Sequence, residues 1–361
     1  MSSGDVPDGT SLEVALRKQL QAIFPSDQED HDQGTLKRLE SRTRPVYAYW
    51  FNGRSYAVKL YGLDPVPFNE RQRRLEKELK ALNTLRGSGL DHPPLSVVRP
   101  LGLLPAPFLG LIEDLVPGLP LLKILQAGSS PDLEQAVSLV ARVLSAVHSS
   151  EPPDEHGWWV PAWEKRMASA PSSLKREETA DALRAWSSLF PLPLPVVPLH
   201  GDANPTNFLL NADGLTAIDL EMFHYGYPVE DLGQVAAELK FAFFQREGTS
   251  SGAEPLIKLL FQSYSQVSGI AFDRLTAFNP LYMGLWELAM ASNAWLGQAK
   301  RSWLVWQAYN CLTSGLQLAL SYIKRDRGRA SPSGLAQTGP RSSSAKLHPS
   351  PQTSWQAQAP C

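Results

Sequence analysis

The spacing of apolar positions changes along the chain, and each change marks a boundary. Residues 1–10 carry no regular pattern and read as unstructured. Ser11 is placed to cap a helix with apolar positions at Leu12, Val14, Leu16, Leu20 and Ile23, and Pro25 ends it. The polar, acidic stretch 26–34 reads as a linker. Three short segments follow, Leu36–Ser41, Val46–Phe51 and Tyr56–Tyr61, the last two rich in β-branched and aromatic residues. Turn material at Arg44-Pro45 and Asn52-Gly53 separates them, which predicts three antiparallel strands. A helix over Asn69–Leu85, with Leu75, Leu79, Leu82 and Leu85 on one face, leads through proline-broken sequence to an apolar strand, Leu109–Leu115.

From Ser130 onward the helical period dominates. Leu133, Val137, Val140, Leu144 and Val147 form one stripe, introduced by Ser130-Pro131 as cap and first position. Within this region Val196–Leu199, Phe208–Asn211 and Thr216–Leu220 are strand-like, the last two joined by a turn at Asn211–Gly214. Helices are predicted again at Asp231–Phe244, Pro255–Ser268, Leu281–Leu296 and Ser302–Ile323. Beyond Arg325, Ser, Pro, Gly, Gln and Ala dominate, and such sequence cannot bury enough apolar surface to offset its ordering entropy. The expected organisation is α+β: an extension over 1–35, a small sheet-bearing lobe over 36–115, a mostly helical lobe over 116–325 and a disordered tail over 326–361.

Composition narrows the function. A chain of 361 residues has room for two domains with a sizeable core. Its 34 Lys+Arg against 36 Asp+Glu give a net charge of −2, so no dominant polyanion-binding surface is expected, and nucleic acid and membrane are not expected partners. The two cysteines, Cys311 and Cys361, supply neither a disulfide framework nor a zinc spacing, which suits a reducing compartment. With no signal-like N-terminus and no apolar run near the roughly 20 residues that span a bilayer, a cytoplasmic protein is expected.

One stretch carries chemistry. His200-Gly201-Asp202-Ala203-Asn204-Pro205-Thr206-Asn207 is followed by Ile218-Asp219-Leu220-Glu221. Phosphoryl transfer needs hard oxygen ligands for Mg²⁺ and one carboxylate to orient or deprotonate the attacking hydroxyl. Asp202, five residues before Asn207, shares a tight loop with it, and the following hairpin returns Asp219 beside Asn207. The competing reading is that Asp, Asn, Gly and Pro here are ordinary turn formers. The fixed spacing weighs against it. The loop resembles the HGDxxxxN signature of the aminoglycoside phosphotransferase and choline kinase superfamily, the small-molecule branch of the protein-kinase-like fold. Ile218–Glu221 resembles that family's IDxE, and Gly226, Pro228, Asp231 and Leu232 resemble its GxPxxDL. The resemblance implies a bilobal fold using ATP and Mg²⁺. In it Asp202 would be the catalytic base, Asn207 and Asp219 would hold the metal, and Glu221 would assist with a second ion.

The smaller lobe adds an independent signal. Lys59 lies in an otherwise apolar strand, where its charge needs a partner, and Glu78 lies close to the leucine stripe of the following helix. The two match the kinase strand-lysine and helix-glutamate pair that positions phosphates. Backbone groups near Glu113 and Leu115 resemble the hinge that meets the adenine edge. One departure stands out: the first strand connection, Ser41–Pro45, has no glycine, so either Arg42 or Arg44 would contact phosphate by side chain or both would be solvated. Asn204 replaces the histidine or lysine that related kinases carry, which disfavours a protein acceptor. His200 resembles the residue that braces this loop, while His156 and His224 have no partner pattern. The tryptophans at 158, 159 and 163 beside acidic residues, and Trp286 with Glu287, suggest a cationic small molecule bearing a hydroxyl, an amino alcohol or amino sugar. Trp295, Trp303 and Trp306 read as packing residues. The expected function is ATP- and Mg²⁺-dependent phosphorylation of such a hydroxyl, the alternative being a catalytically inactive nucleotide-binding or scaffold module of the same fold.

Overall fold

Strand β2 (Val46–Phe51) turns into β3 (Arg54–Leu60) through Asn52 and Gly53, both at positive φ (49° and 70°), the conformation that an Asn-Gly pair adopts at least cost. A computed structural model describes residues 9–24, 34–39, 41, 44–127, 130–150 and 177–330. The described residues up to Tyr322 form one compact unit.

The hairpin is the centre of a five-stranded antiparallel sheet. Counting β1 (Thr35–Leu39), β4 (Asp91–His92), β5 (Leu95–Val97), β6 (Pro100–Leu104) and β7 (Gly110–Asp114), the order is β1-β2-β3-β7-β6. Strand alternation gives it two different faces. Tyr47, Tyr49 and Phe51 share one face with Tyr56, Val58 and Leu60, because Tyr47 pairs with Val58 and Tyr49 with Tyr56. Helix α1 (Gly9–Ile23) covers that face with buried Leu12, Leu16 and Leu20, and Phe24 stacks on Tyr56 at 4.4 Å. The helix begins two residues before Ser11, so Ser11 lies in its first turn rather than at its cap.

The opposite face carries Lys59 and Glu113. Their strands pair Ala57 with Glu113 and Lys59 with Leu111, which makes Lys59 and Glu113 diagonal neighbours on one side of the sheet. Helix α2 (Phe68–Gly87) buries Leu75, Glu78, Ala81, Leu82 and Leu85. A carboxylate thus sits inside an apolar stripe.

The rest of the described chain is mainly helical: α3 (Leu121–Ala127), α4 (Ser130–His148), α5 (Glu177–Ser187), α6 (Val229–Glu247), α7 (Glu254–Ser268), α8 (Phe272–Ala291) and α9 (Gln298–Ala330). Two small sheets lie among them. The hairpin β10 (Phe208–Asn211) and β11 (Gly214–Ala217) is extended by β8 (Leu119–Pro120) and, in parallel, by β5, giving the order β4-β5-β11-β10-β8. Strand β9 (Val197–Leu199) pairs with β12 (His224–Gly226).

Several expectations are corrected. The proline-broken stretch holds three strands: β4 and β5, of two and three residues, and β6, whose pattern is interrupted by Pro100 and Gly102. Helix α8 starts well before Leu281, with Pro280 inside it. Trp303 does pack, 4.0 Å from Phe244, but Trp295 and Trp306 are each 58% exposed. Helix α9 buries Leu304, Ala308 and Leu312, and that spacing turns Trp306 to the opposite side. The same helix runs on to Ala330, into the stretch expected to be disordered, the remainder of which lies outside the described residues. No helix among the described residues is long and apolar enough to cross a membrane.

Candidate active site

Lys59 is 6% exposed, and three carboxylates from three parts of the chain surround its ammonium. Glu78 Oε1 lies at 2.6 Å, Asp219 Oδ1 at 3.3 Å and Glu113 Oε2 at 3.5 Å. Burial opposes the charge on Lys59, yet Asp219, Glu113 and Glu78 together hold it well above the usual lysine range. Three negative charges against one positive would be costly here. Burial, against the pull of Lys59, pushes the Glu113 carboxyl up to about 8, which makes it readier to take up a proton than an ordinary carboxylate. Asp219 goes the other way: despite its burial, Lys59 and Arg44 hold it below the usual carboxylate range. Glu78 is fixed from two more directions, by the Tyr61 hydroxyl and by the Leu220 amide, which donates to Oε1 at 3.2 Å.

The loop between β9 and β10 brings the second group of residues. Gly201 adopts φ +80°, and a side chain there would collide with the Met222 carbonyl and approach His224 Nδ1 to 2.8 Å. His200 is fully buried. Its Nε2 donates to the Ile218 carbonyl at 3.0 Å while Nδ1 accepts from the Asp202 amide at 3.4 Å, an arrangement that fixes the tautomer and ties loop to hairpin. Asn204 caps the 3-10 turn Pro205–Asn207, accepting from the Thr206 amide at 3.0 Å and donating to Glu238 at 3.2 Å.

Asp202 is held from both sides. Gln234 donates to Oδ1 at 2.7 Å, and Asn207 Nδ2 donates to Oδ2 at 3.2 Å and to the Asp202 carbonyl at 3.0 Å. Because its amide nitrogen is committed in this way, Asn207 has its Oδ1 to offer a cation, apart from a 3.4 Å contact with the Thr206 hydroxyl. The Asn207 carbonyl accepts from the Ile218 amide at 2.9 Å, so Asn207 and Asp219 emerge at the same end of the β10–β11 hairpin. Asp219 stands at φ +65°, a conformation that costs a non-glycine residue roughly 1–3 kcal/mol and recurs at functional positions.

Beneath the loop lies an arrangement that motif spacing did not assign a role. Asp231, 1% exposed, accepts from the His200 amide (2.7 Å), the Gly201 amide (3.0 Å) and His148 Nε2 (3.0 Å). The Tyr264 hydroxyl meets His148 Nδ1 at 2.7 Å. Gln234 sits one helical turn after Asp231, and that spacing was the available signal for it.

Some sequence-predicted residues fall differently. Glu113 lies opposite Ala57 in the sheet ladder and the Leu115 amide donates to the Ser55 carbonyl at 3.2 Å, so strand pairing uses the backbone expected at a base edge. What Glu113 contributes is its side chain. Glu221 lies on the connection after β11, where burial and then Asp219 push its carboxyl up to about 7, and it forms an ion pair with Arg44. Arg44 is therefore not solvated. His224 is buried with Nδ1 on the Met222 carbonyl at 2.8 Å. His156, Arg42 and the tryptophans at 158, 159 and 163 lie outside the described residues. Trp286 is half-buried.

Glu287 has no exposed surface to offer a ligand in this conformation. Its surroundings include Lys240 and the Cys311 thiol, and burial pushes its carboxyl from 4.5 up to about 8. Because the folded chain holds this proton more tightly than the unfolded chain, stability falls as pH rises from 4.5 through 8. A Glu287→Gln variant is expected to escape that fall. Thermal melts at pH 5 and pH 9 should show it gaining on the wild type at the higher pH; an equal offset at both would contradict the assignment.

Among the described residues no group of three or more His, Cys, Asp and Glu is arranged to hold a metal. No curated protein sequence matches the chain. Solved structures do share its fold. Choline kinase LicA from Streptococcus pneumoniae is 16% identical, covering 84% of this chain and 99% of its own, with a TM-score of 0.55. Amicoumacin kinase hAmiN, in complex with AMP-PNP, Ca²⁺ and Ami, is also 16% identical over 84% of this chain and 96% of its own, at 0.57. ADP-bound aminoglycoside phosphotransferase APH(2'')-Ib is 12% identical over 83% and 99%, at 0.54. The profile of the phosphotransferase enzyme family (APH) matches residues 35–270, which takes in the Lys59 strand, the Asp202 loop and the Asp219 connection together. The chain belongs to this family.

Proposed function

We propose that this phosphotransferase moves the γ-phosphoryl group of ATP, with Mg²⁺, to a hydroxyl of a small amine-bearing molecule. The observation that carries the reading is Lys59: its ammonium links the sheet-bearing region (36–115) to the Asp219 connection of the helical region (116–325) within 3.3 Å. The donor set fits the groups invoked. Asn207 Oδ1, Asp219 and Glu221 are hard oxygen donors of the kind magnesium takes, and Lys59 is a fixed cation facing them. When bound, the metal neutralises charge on the phosphoryl oxygens and the nucleotide supplies the group transferred.

The chain's own part is positioning and proton handling. Glu78, with Tyr61 and the Leu220 amide behind it, aims Lys59 at phosphate oxygens. Gln234 and Asn207 orient the Asp202 carboxylate, which accepts the proton of the attacking hydroxyl. His200 and Asp231 keep the loop in register. The acceptor class follows the fold relatives, whose names point to choline and aminoglycosides.

The test is ATP consumption with Mg²⁺ across amino alcohols, sugars, amino sugars and hydroxy amino acids, with the product identified by mass. A phosphorylated amine-bearing product is expected. A thermal shift with Mg-ATP but no product across the panel would instead favour an inactive nucleotide-binding module, and no shift at all would remove the nucleotide.

A further inference from the structure

Arg44 ends the glycine-free connection between β1 and β2, the place where related kinases cover phosphates with glycine-rich backbone. A turn arginine is ordinarily solvated, but this one is 8% exposed. Its guanidinium stacks over the Tyr61 ring at 3.9 Å, Nη2 contacts Asp64 Oδ2 at 3.2 Å, and Nη1 pairs with Glu221. The Nε is buried with no hydrogen-bond acceptor. A fork of donors is thus preorganised by Tyr61 and Asp64, is incompletely satisfied, and meets a carboxylate two residues from Asp219. Buried N–H groups of this kind are costly unless an oxygen ligand completes them.

We propose that Arg44 is a polyphosphate-binding residue, doing by side chain what a glycine-rich loop does by backbone amides, and that Glu221 stands in for the phosphate until a nucleotide arrives. This rests on the reading that the Lys59 cleft binds a nucleotide. Guanidinium geometry suits the exchange, because the same fork that pairs with a carboxylate pairs with two phosphate oxygens. Asp64 and Tyr61 keep the guanidinium in place while its partner changes. The exchange releases the Glu221 carboxylate beside Asp219.

The test is equilibrium binding, without turnover, of adenosine, AMP and ADP to the full chain, with and without Mg²⁺. In Arg44→Gln, ADP affinity is expected to fall tenfold or more relative to wild type while adenosine affinity is unchanged, as loss of a hydrogen bond to a charged group predicts. Arg44→Lys, which keeps the charge and spares the fold, should lose part of the same discrimination. Glu221→Gln removes the competitor and should tighten ADP binding in the absence of metal. Equal losses for adenosine and ADP, or ADP binding indifferent to all three substitutions, would overturn the proposal while leaving nucleotide binding intact. A wild-type chain that binds none of the three ligands would overturn both.

Discussion

Replacing Asp202 with Asn is expected to lower the turnover of the proposed reaction by about 10²- to 10⁴-fold, the range attached to loss of a positioned general base. The substitution keeps size and shape, but an amide cannot take the proton of an attacking hydroxyl. It also disturbs two contacts, because Gln234 and Asn207 both donate to this side chain and one of them would then face a donor. Lys59 pairs with Glu78, Glu113 and Asp219, and none of these contacts involves Asp202, so nucleotide affinity should hold. Single-turnover rates and ADP titration, run on the same preparation, separate the two quantities. A variant with wild-type turnover would remove Asp202 from the chemistry.

The second large effect is expected at Asp231, which is buried against the His200–Gly201 backbone. In Asp231→Asn one oxygen becomes an amino group, while three donors converge on the site: the His200 and Gly201 amides and His148 Nε2. Each buried donor left unmatched costs about 1–3 kcal/mol. Stability should fall by at least that, and turnover should fall because Gly201 and His200 set where Asp202 points. The wild-type carboxylate resists burial through His148 and the two amides, which hold it below its ordinary 3.8. A depressed pKa stabilises the fold above 3.8, and that contribution is lost as pH falls through the lower folded value. The variant lacks this acid-side loss. Denaturant unfolding at pH 7 and pH 3.5 measures both parts; a variant as stable as wild type at pH 7 would show that the convergence of donors is not what holds the loop.

Much of this site was legible from spacing alone, because its parts are local. Asn52-Gly53 announces its turn, Asp202 and Asn207 share one loop, and Glu78 reveals itself as a charge on a leucine face. Glu113 was hidden for the opposite reason. Its approach to Lys59 follows from the register of strands more than fifty residues apart, and nothing in either strand alone states that register. Arg44 was misread because burial of a turn arginine depends on Asp64, Tyr61 and Glu221 arriving from three other segments. Strands β4, β5, β8 and β12, of two or three residues, are too short for alternation to show, and Pro100 and Gly102 mask it in β6.

The family match begins at residue 35, yet the sheet it covers is not self-sufficient in this protein. Leu12, Leu16 and Leu20 roof a row of tyrosines and a phenylalanine that would otherwise lie open to water. A chain shortened to the shared boundary would carry an oily, sticky back on its sheet and should clump as it folds, so the leading helix has to travel with the enzyme whenever it is made in pieces.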